Sequence, residues 1–273
     1  MADETRQRGI LYPARLPSLV RLDPDPAAAE LVRWFWIPEW DLPPGRTSRQ
    51  HLLAFPATNL VVEAGAAVLS GPTTRVSHRD LRGRGWGVGA LLRPAATAAF
   101  VAEPARLTDR VEPVELPGLV EAVTAAWARP GLDPDGRRRA AADAFAAWLV
   151  GAVPAVDDDG RLANRLVELI EADPSILHPE QAAQALHVSV RTVQRLARRH
   201  VGLSPADLIR RRRLQAAAAL VRERPGTDLA TIAAELGYAD HAHLTREFRD
   251  RLGFTPSGYR REAGTGRGPE GDP

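Results

Sequence analysis

The hydrophobic pattern changes character near residue 93. Between residues 34 and 92, short apolar runs (34–37, 51–55, 59–63, 66–69 and 85–92) are punctuated by Pro43-Pro44-Gly45, Gly65, Gly71-Pro72 and Gly83. Short runs closed by turn residues predict the strands of a small sandwich or barrel. Residues 19–22 read as an early strand and 27–33 as a helical turn, while the rest of 1–26 is rich in Pro and charge and reads as irregular. Gly85, Gly87 and Gly89 alternate through one run, which predicts bulges or close backbone approaches. From residue 94 the period becomes helical, over 94–101, 116–128 and 137–153, with Leu119, Val123 and Trp127 on one face. Residues 153–160 (VPAVDDDG) have no apolar period and read as a linker. Beyond it, helices are predicted over 161–171, 179–186, 190–200, 204–222, 229–236 and 240–252, with Ser189, Ser204 and Asp240 as caps.

These elements predict an α+β chain. Residues 1–153 form an N-terminal domain, β-rich to about 93 and helical over 94–153. Residues 154–160 are the linker, 161–262 an all-α domain, and 263–273 a disordered tail.

The all-α part contains a degenerate internal duplication. Ala183 and Leu186 match Ala233 and Leu236 at an offset of 50. Gln194, Arg195, Gly202, Ser204 and Pro205 match Thr245, Arg246, Gly253, Thr255 and Pro256 at an offset of 51. One residue is added in the turn of the second copy. Each copy reads short helix, tight turn, second helix, Gly, apolar residue, Ser or Thr, Pro. That is the pattern of a helix-turn-helix, whose second helix enters a DNA major groove.

Composition narrows the chemistry. There are no cysteines, which excludes disulfides, thiol catalysis and thiolate metal sites. All 36 basic residues are Arg, the side chain suited to bidentate contact with phosphate and guanine. Net charge is only +2, but residues 161–263 hold 17 Arg against 12 acidic residues, and the rest 19 against 22. A mildly basic C-terminal part fits a polyanionic partner. The first ten residues lack the apolar region of a signal peptide, and the uncharged run 144–156 contains Pro154 and is too short to span a bilayer. A soluble, cytoplasmic protein without a membrane partner is expected.

The residues Ile232-Ala233, Leu236-Gly237-Tyr238, His243-Leu244-Thr245-Arg246, Phe248, Gly253-Phe254-Thr255-Pro256 and Tyr259-Arg260 carry a family resemblance. With the first copy, they make residues 161–262 similar to the DNA-binding domain of the AraC/XylS family of bacterial transcription regulators. The resemblance implies seven helices, with two recognition helices joined by a long one and facing successive major grooves. Base-facing positions then fall on Arg191, Gln194 and Arg195, and on His241, Ala242, His243 and Arg246. Arg suits guanine, Gln suits adenine, and an Ala methyl suits thymine. Arg198, Arg199, Arg249 and, within the run 210–213, Arg211 and Arg212 are expected at phosphates, with one or two of that run paired to Asp207 or Glu223. Three departures stand out: His187 replaces a usual Gly, Ala197 a usual aromatic and Leu244 a frequent Phe. The Ala197 change removes core volume and predicts a looser first unit.

The resemblance gives the N-terminal domain a role in sensing a small molecule, in dimerising, or in both. Double-stranded DNA, a small-molecule effector, a second copy and RNA polymerase (for an activator) are the implied partners, and no cofactor is implied. Trp34, Trp36 and Trp86 are candidates for an aromatic-lined pocket, against the alternatives of core packing or a dimer face. Metal chemistry is not expected. His241 and His243 lack the i, i+4 spacing of a helical pair, and His51 and His78 have no clustered partners. The glycine-rich run at 85–89 lacks the βαβ context of a dinucleotide fingerprint. A similar domain occurs in alkyl-transfer DNA repair proteins, but those need a Cys acceptor; no enzyme activity is expected. The alternative is a DNA-binding adaptor whose N-terminal domain binds another protein.

Overall fold

The computed structural model describes residues 18–52, 56–63, 65–75 and 77–265. The irregular stretch expected before residue 18, part of the run 51–55, and the tail from residue 266 lie outside the described residues.

Among the described residues, eight strands precede most of the helices: β1 (Leu19–Leu22), β2 (Val32–Asp41), β3 (Thr47–Leu52), β4 (Asn59–Glu63), β5 (Ala66–Ser70), β6 (Ser77–Arg82), β7 (Arg84–Leu92) and β8 (Val111–Val114). Six form an antiparallel sheet in the order β1-β2-β7-β4-β5-β8, while β3 and β6 pair in a separate ribbon. The ribbon strands are mostly polar, so the apolar pattern announces only the end of β3, where the run 51–55 begins. Arg49 and Asp80 face each other across it in a two-pronged ion pair. Residues 27–33 make a short 3-10 turn at Pro26–Ala28 and then enter β2.

The two faces of the sheet have different jobs. Phe35, Ile37, Val88, Ala90 and Leu92 face a core closed by α2 (Pro117–Trp127) and α3 (Pro134–Ala152), with Phe35 and Phe145 ring centroids 5.5 Å apart. On the other face Trp36 and Trp40 lie over Gly89 and Gly85. A Cβ on Gly89 would sit 2.1 Å from the Trp36 ring, and one on Gly85 2.3 Å from Trp40. The alternating glycines therefore mark close approach to indole rings. The bulge lies instead in β2, between Val32 and Trp34.

Helix α1 (Pro94–Phe100) follows β7, and α4 (Asp158–Ala172) begins the helical domain. Asp157 caps α4 by accepting from the Gly160 N–H at 2.7 Å, and Asp158 and Asp159 lie in the first turn, where the helix dipole favours anions. Residues 158–160, read from composition as linker, are thus helix: their acidic run is an N-terminal signal. Then come α5 (Pro179–Ala185), α6 (Val190–His200), α7 (Pro205–Glu223), α8 (Leu229–Glu235), α9 (His241–Leu252) and α10 (Pro256–Thr265). Helix α10 carries the chain through residues 263–265, where the tail had been expected to start.

Helix α7 belongs to two cores. Leu208 and Ile209 pack with Leu166, Val193 and Leu196 of the first unit, whereas Leu214, Ala217 and Val221 pack with Ile232, Leu244 and Phe248 of the second. The N-terminal domain packs on the first unit through α1, which lies against α4 and α6. Asn164 of α4 accepts from the Ala95 N–H (3.0 Å) and donates to the Glu30 carbonyl (2.9 Å). Arg93 and Arg33 ion-pair with Glu168 and Glu171 across the same seam.

Candidate nucleic-acid interface

Each helix-turn-helix unit turns through a left-handed residue. In the second unit this is Gly237, with φ +72°; in the first it is His187, with φ +55°. A side chain in this region costs about 1–2 kcal/mol through its Cβ contacts. The departure at His187 therefore leaves strain in an exposed turn. Replacing His187 with Gly should stabilise the protein by about 0.5–1 kcal/mol, since glycine's greater freedom in the unfolded chain offsets part of the gain. Denaturant unfolding of the variant, with an unchanged or lower midpoint, would contradict this.

Both recognition helices are capped and sided. The Ser189 hydroxyl accepts from the Thr192 N–H at 3.1 Å, and Asp240 from the His243 N–H at 2.6 Å. On α6, Val193, Leu196, Ala197 and His200 are buried; Arg191, Gln194, Arg195, Arg198 and Arg199 are exposed. On α9, Leu244, Phe248 and Leu252 are buried; His241, Ala242, Arg246 and Arg249 are exposed and His243 is partly so. The two substituted core positions, Ala197 and Leu244, are fully buried.

The exposed groups differ in their engagement. Arg191, Gln194, Arg198, Arg246 and Arg249 make no side-chain hydrogen bond or ion pair among the described residues. Arg195 forks onto Asp159 at the start of α4, with Arg199 3.7 Å from the same carboxylate. The hydrogen bond from Arg195 holds the Asp159 carboxyl below its usual range. His241 lies 3.2 Å from the Thr245 hydroxyl. His243 meets Tyr238 edge-on at 5.3 Å and lies 3.9 Å from Glu247.

Comparisons with known proteins agree with this geometry. Residues 182–262 match a family described as a helix-turn-helix domain, and residues 20–113 match a domain of unknown function (DUF6597). An uncharacterized HTH-type transcriptional regulator of Haemophilus influenzae is 33% identical over 103 residues, 38% of this chain and 34% of that protein. The chain thus spans about a third of the length of this curated relative. Residues 182–262 are thus a helix-turn-helix domain. Among solved structures, ToxT from Vibrio cholerae O395 is 11% identical, with a TM-score of 0.41 over 89% of this chain and 95% of that one. The AraC-like activator CuxR is 13% identical, with a TM-score of 0.22 over 75% and 88%. No helix among the described residues is long and apolar enough to cross a membrane.

Within the helix-turn-helix domain, the four successive arginines of α7 each do something different. Arg210 pairs with Asp207 at 3.1 Å. Arg211 is 5% exposed and donates to the Thr73 hydroxyl of the N-terminal domain at 2.7 Å. Burial pushes its guanidinium pKa down to about 10. Arg212 donates to the backbone carbonyls of Asp173, Pro174 (3.2 Å) and Ile176 (3.0 Å). Arg213 donates to the Leu236 and Gly237 carbonyls and stacks on Tyr238 at 4.1 Å, holding the second turn. Arg211 and Arg212 are therefore withdrawn from the expected phosphate set: both are spent on protein contacts. Arg222, not one of the run, takes Glu223. Arg212→Ala should lower stability by about 1–2 kcal/mol, because partly buried carbonyls lose charged donors. It should leave the salt dependence of DNA binding unchanged; a flatter salt slope in the folded variant would restore the phosphate role.

The three tryptophans proposed for one pocket do not meet. Trp34 and Trp36 lie on one face of the sheet, where Arg21 and Arg33 stack on Trp34 at 5.0 and 4.7 Å and Trp36 donates to Asn59 Oδ1 at 3.0 Å. Trp86 lies on the helix-covered face, stacked on Trp127 at 4.6 Å. Trp86 pairs across the ladder with Glu39, three residues beyond Trp36, so it falls on the opposite face.

Four side chains of interest escaped the sequence. Asp159 holds two arginines of α6; Asn164 bridges the domains; Thr58 and His200 are buried where the domains meet. For His200 there was a signal: it follows Val193, Leu196 and Ala197 at helical spacing on the apolar stripe.

Proposed function

We propose that this chain is a sequence-specific DNA-binding transcription regulator that reads two successive major grooves with α6 and α9. The observation that carries this is α7, whose two halves are set in two different cores. With 19 residues it is about 28 Å long, and successive major grooves lie about 34 Å apart. Helix α7 is thus long enough to hold α6 and α9 near one helical turn apart.

In this reading Arg191, Gln194 and Arg195 contact bases in one groove and His241, Ala242, His243 and Arg246 in the next. Arg198, Arg199 and Arg249 contact phosphates and set the register. Arg195 exchanges Asp159 for DNA. The N-terminal domain regulates: it grips the first unit through Asn164, Arg33, Arg93 and Arg211, so a small molecule that alters the grip alters how α6 is presented. A second copy aligned on a second site, and RNA polymerase for an activator, complete the partners. The protein works inside the cell, beside its DNA.

Equilibrium binding of the full chain to duplex DNA at several salt concentrations tests the reading. The expected result is an affinity that falls linearly in log–log form, with one sequence retaining an excess over random duplex. Absence of duplex binding would contradict both this reading and the DNA-binding adaptor.

A further inference from the structure

The N-terminal domain touches the helical domain at the ends of both recognition helices. Just past α6, the turn Pro104–Leu107 leaves no room for a Cβ on Gly202, which would come within 2.5 Å of the Pro104 backbone. In the last turn of α9, Arg251 donates to the Thr74 carbonyl at 3.3 Å. The two contacts belong to one corner of the domain. Asp109, two residues after that turn, accepts from the Thr74 N–H and from its hydroxyl, both at 2.6 Å. A Cβ on Gly71 would lie 2.0 Å from the Leu107 carbonyl oxygen, so the segment 71–74 rests directly on the turn.

The corner is braced within itself. Asp109 holds φ +58°, which costs a residue with a Cβ about 1–2 kcal/mol. Its N–H donates to the Pro72 carbonyl, and the Gly71 N–H to the Arg110 carbonyl, each at 3.0 Å. Between the two helix ends, the Thr73 hydroxyl accepts from Arg211 at 2.7 Å. Arg211 lies on α7 between Ile209 of the first core and Leu214 of the second. The Asp109 carboxylate nearby offsets the charge of this buried guanidinium. A helix shared by two cores can still bend at its middle. A corner fastened to that middle, and set against the ends of α6 and α9, opposes the bend.

We propose that Asp109 and Thr74 are positioning residues for DNA spacing: the corner they make is a strut that fixes the separation and angle of α6 and α9. The N-terminal domain then sets, together with α7, how far apart two DNA elements must lie. The strut stands on contacts within the chain; its use in reading DNA rests on the transcription-regulator reading. One base pair added between the elements moves the second by about 3.4 Å along the duplex and also rotates it. A strut makes such a misfit costly, and a loosened one lets the second unit follow.

The chain has no cysteine, so Gln184→Cys and Ala234→Cys, at exposed positions of α5 and α8, take one pair of spin labels. Pulsed dipolar spin resonance on the DNA-free full chain reads the distance between the units. Asp109→Gly removes the carboxylate at a φ that suits glycine, and Arg251→Met removes the donor to Thr74 and keeps an apolar stem. Each should broaden a distance distribution that is narrow in the parent. Binding is then measured on duplexes with the preferred spacing and with one base pair more or fewer. Arg251→Met also loses a charge, which weakens binding to every duplex alike, so the readout is the ratio between spacings. The parent's preference for its own spacing should fall about fivefold or more in each variant. An unchanged distribution in either variant would overturn the strut. Broadened distributions with an unchanged spacing ratio would overturn its role in DNA spacing. Broadened distributions in a chain whose parent binds no duplex would uphold the strut and sink the regulator reading.

Discussion

Gly202→Ala lowers the stability of the whole chain by about 2–5 kcal/mol, while Gly253→Ala, at the matched position of the second unit, costs only about 1–2 kcal/mol. Both glycines follow a recognition helix in the left-handed region, with φ +86° and +81°. The backbone cost of a Cβ is therefore the same. The surroundings differ. A Cβ on Gly202 would come within 2.5 Å of the Pro104 backbone and 2.6 Å of Ala105, whereas nothing lies within 4 Å of one on Gly253. Pro104 and Ala105 belong to a 3-10 turn of the N-terminal domain, Pro104–Leu107, that packs on α6. Backbone cannot rotate away as a long side chain can, so the seam must open or the first unit must shift. Urea unfolding of the two variants reads the difference directly. Equal losses would mean that the N-terminal domain does not press on the first unit in solution.

Arg246→Ala should weaken binding to the preferred site by about 1–3 kcal/mol and relax specificity at one base pair. Arg246 is exposed on α9, between the buried Leu244 and Phe248, and has no competing protein contact among the described residues. Nothing is left unsatisfied when it is truncated, so stability should stay within about 0.5 kcal/mol of the parent. Its counterpart Arg195 is different. It is held by Asp159, so part of what it gains from DNA offsets what it gives up, and Arg195→Ala should cost less affinity than Arg246→Ala. Asp159→Ala then separates the two roles: it should raise affinity by freeing Arg195 and Arg199. Competition binding against single-base variants of the site reads these effects. An Arg246→Ala protein that keeps both affinity and specificity would remove α9 from base contact.

The sequence legibly encodes what is local. Ser189, Ser204 and Asp240 cap the helices expected of them, and the glycine-to-proline spacing places both units. What the sequence hid depends on partners distant in the chain. Arg211 looks like any exposed helical arginine until Thr73, far upstream, closes over it. Arg212 and Arg213 look alike, yet one holds the loop before the first unit and the other the turn inside the second. The faces of Trp34 and Trp86 follow from a strand register that no periodicity reveals, with a bulge between Val32 and Trp34. Strand β6 and the first part of β3, before the run at 51–55, are too polar to be read as strands because one ribbon face carries charges such as Arg49 and Asp80. The loss of volume at Ala197 predicted a loose first unit. In the structure that position is fully buried, in a helix that α1 and the Pro104–Leu107 turn pack against.

In the proposed function, α6 and α9, joined by α7, read two grooves. Selection of bound duplexes from a random-sequence pool by the full chain, at near-physiological salt, tests it most directly. The expected result is an enriched site with two short elements about one helical turn apart, roughly 10 base pairs centre to centre. A single short element, or enrichment of no sequence at all, would contradict it.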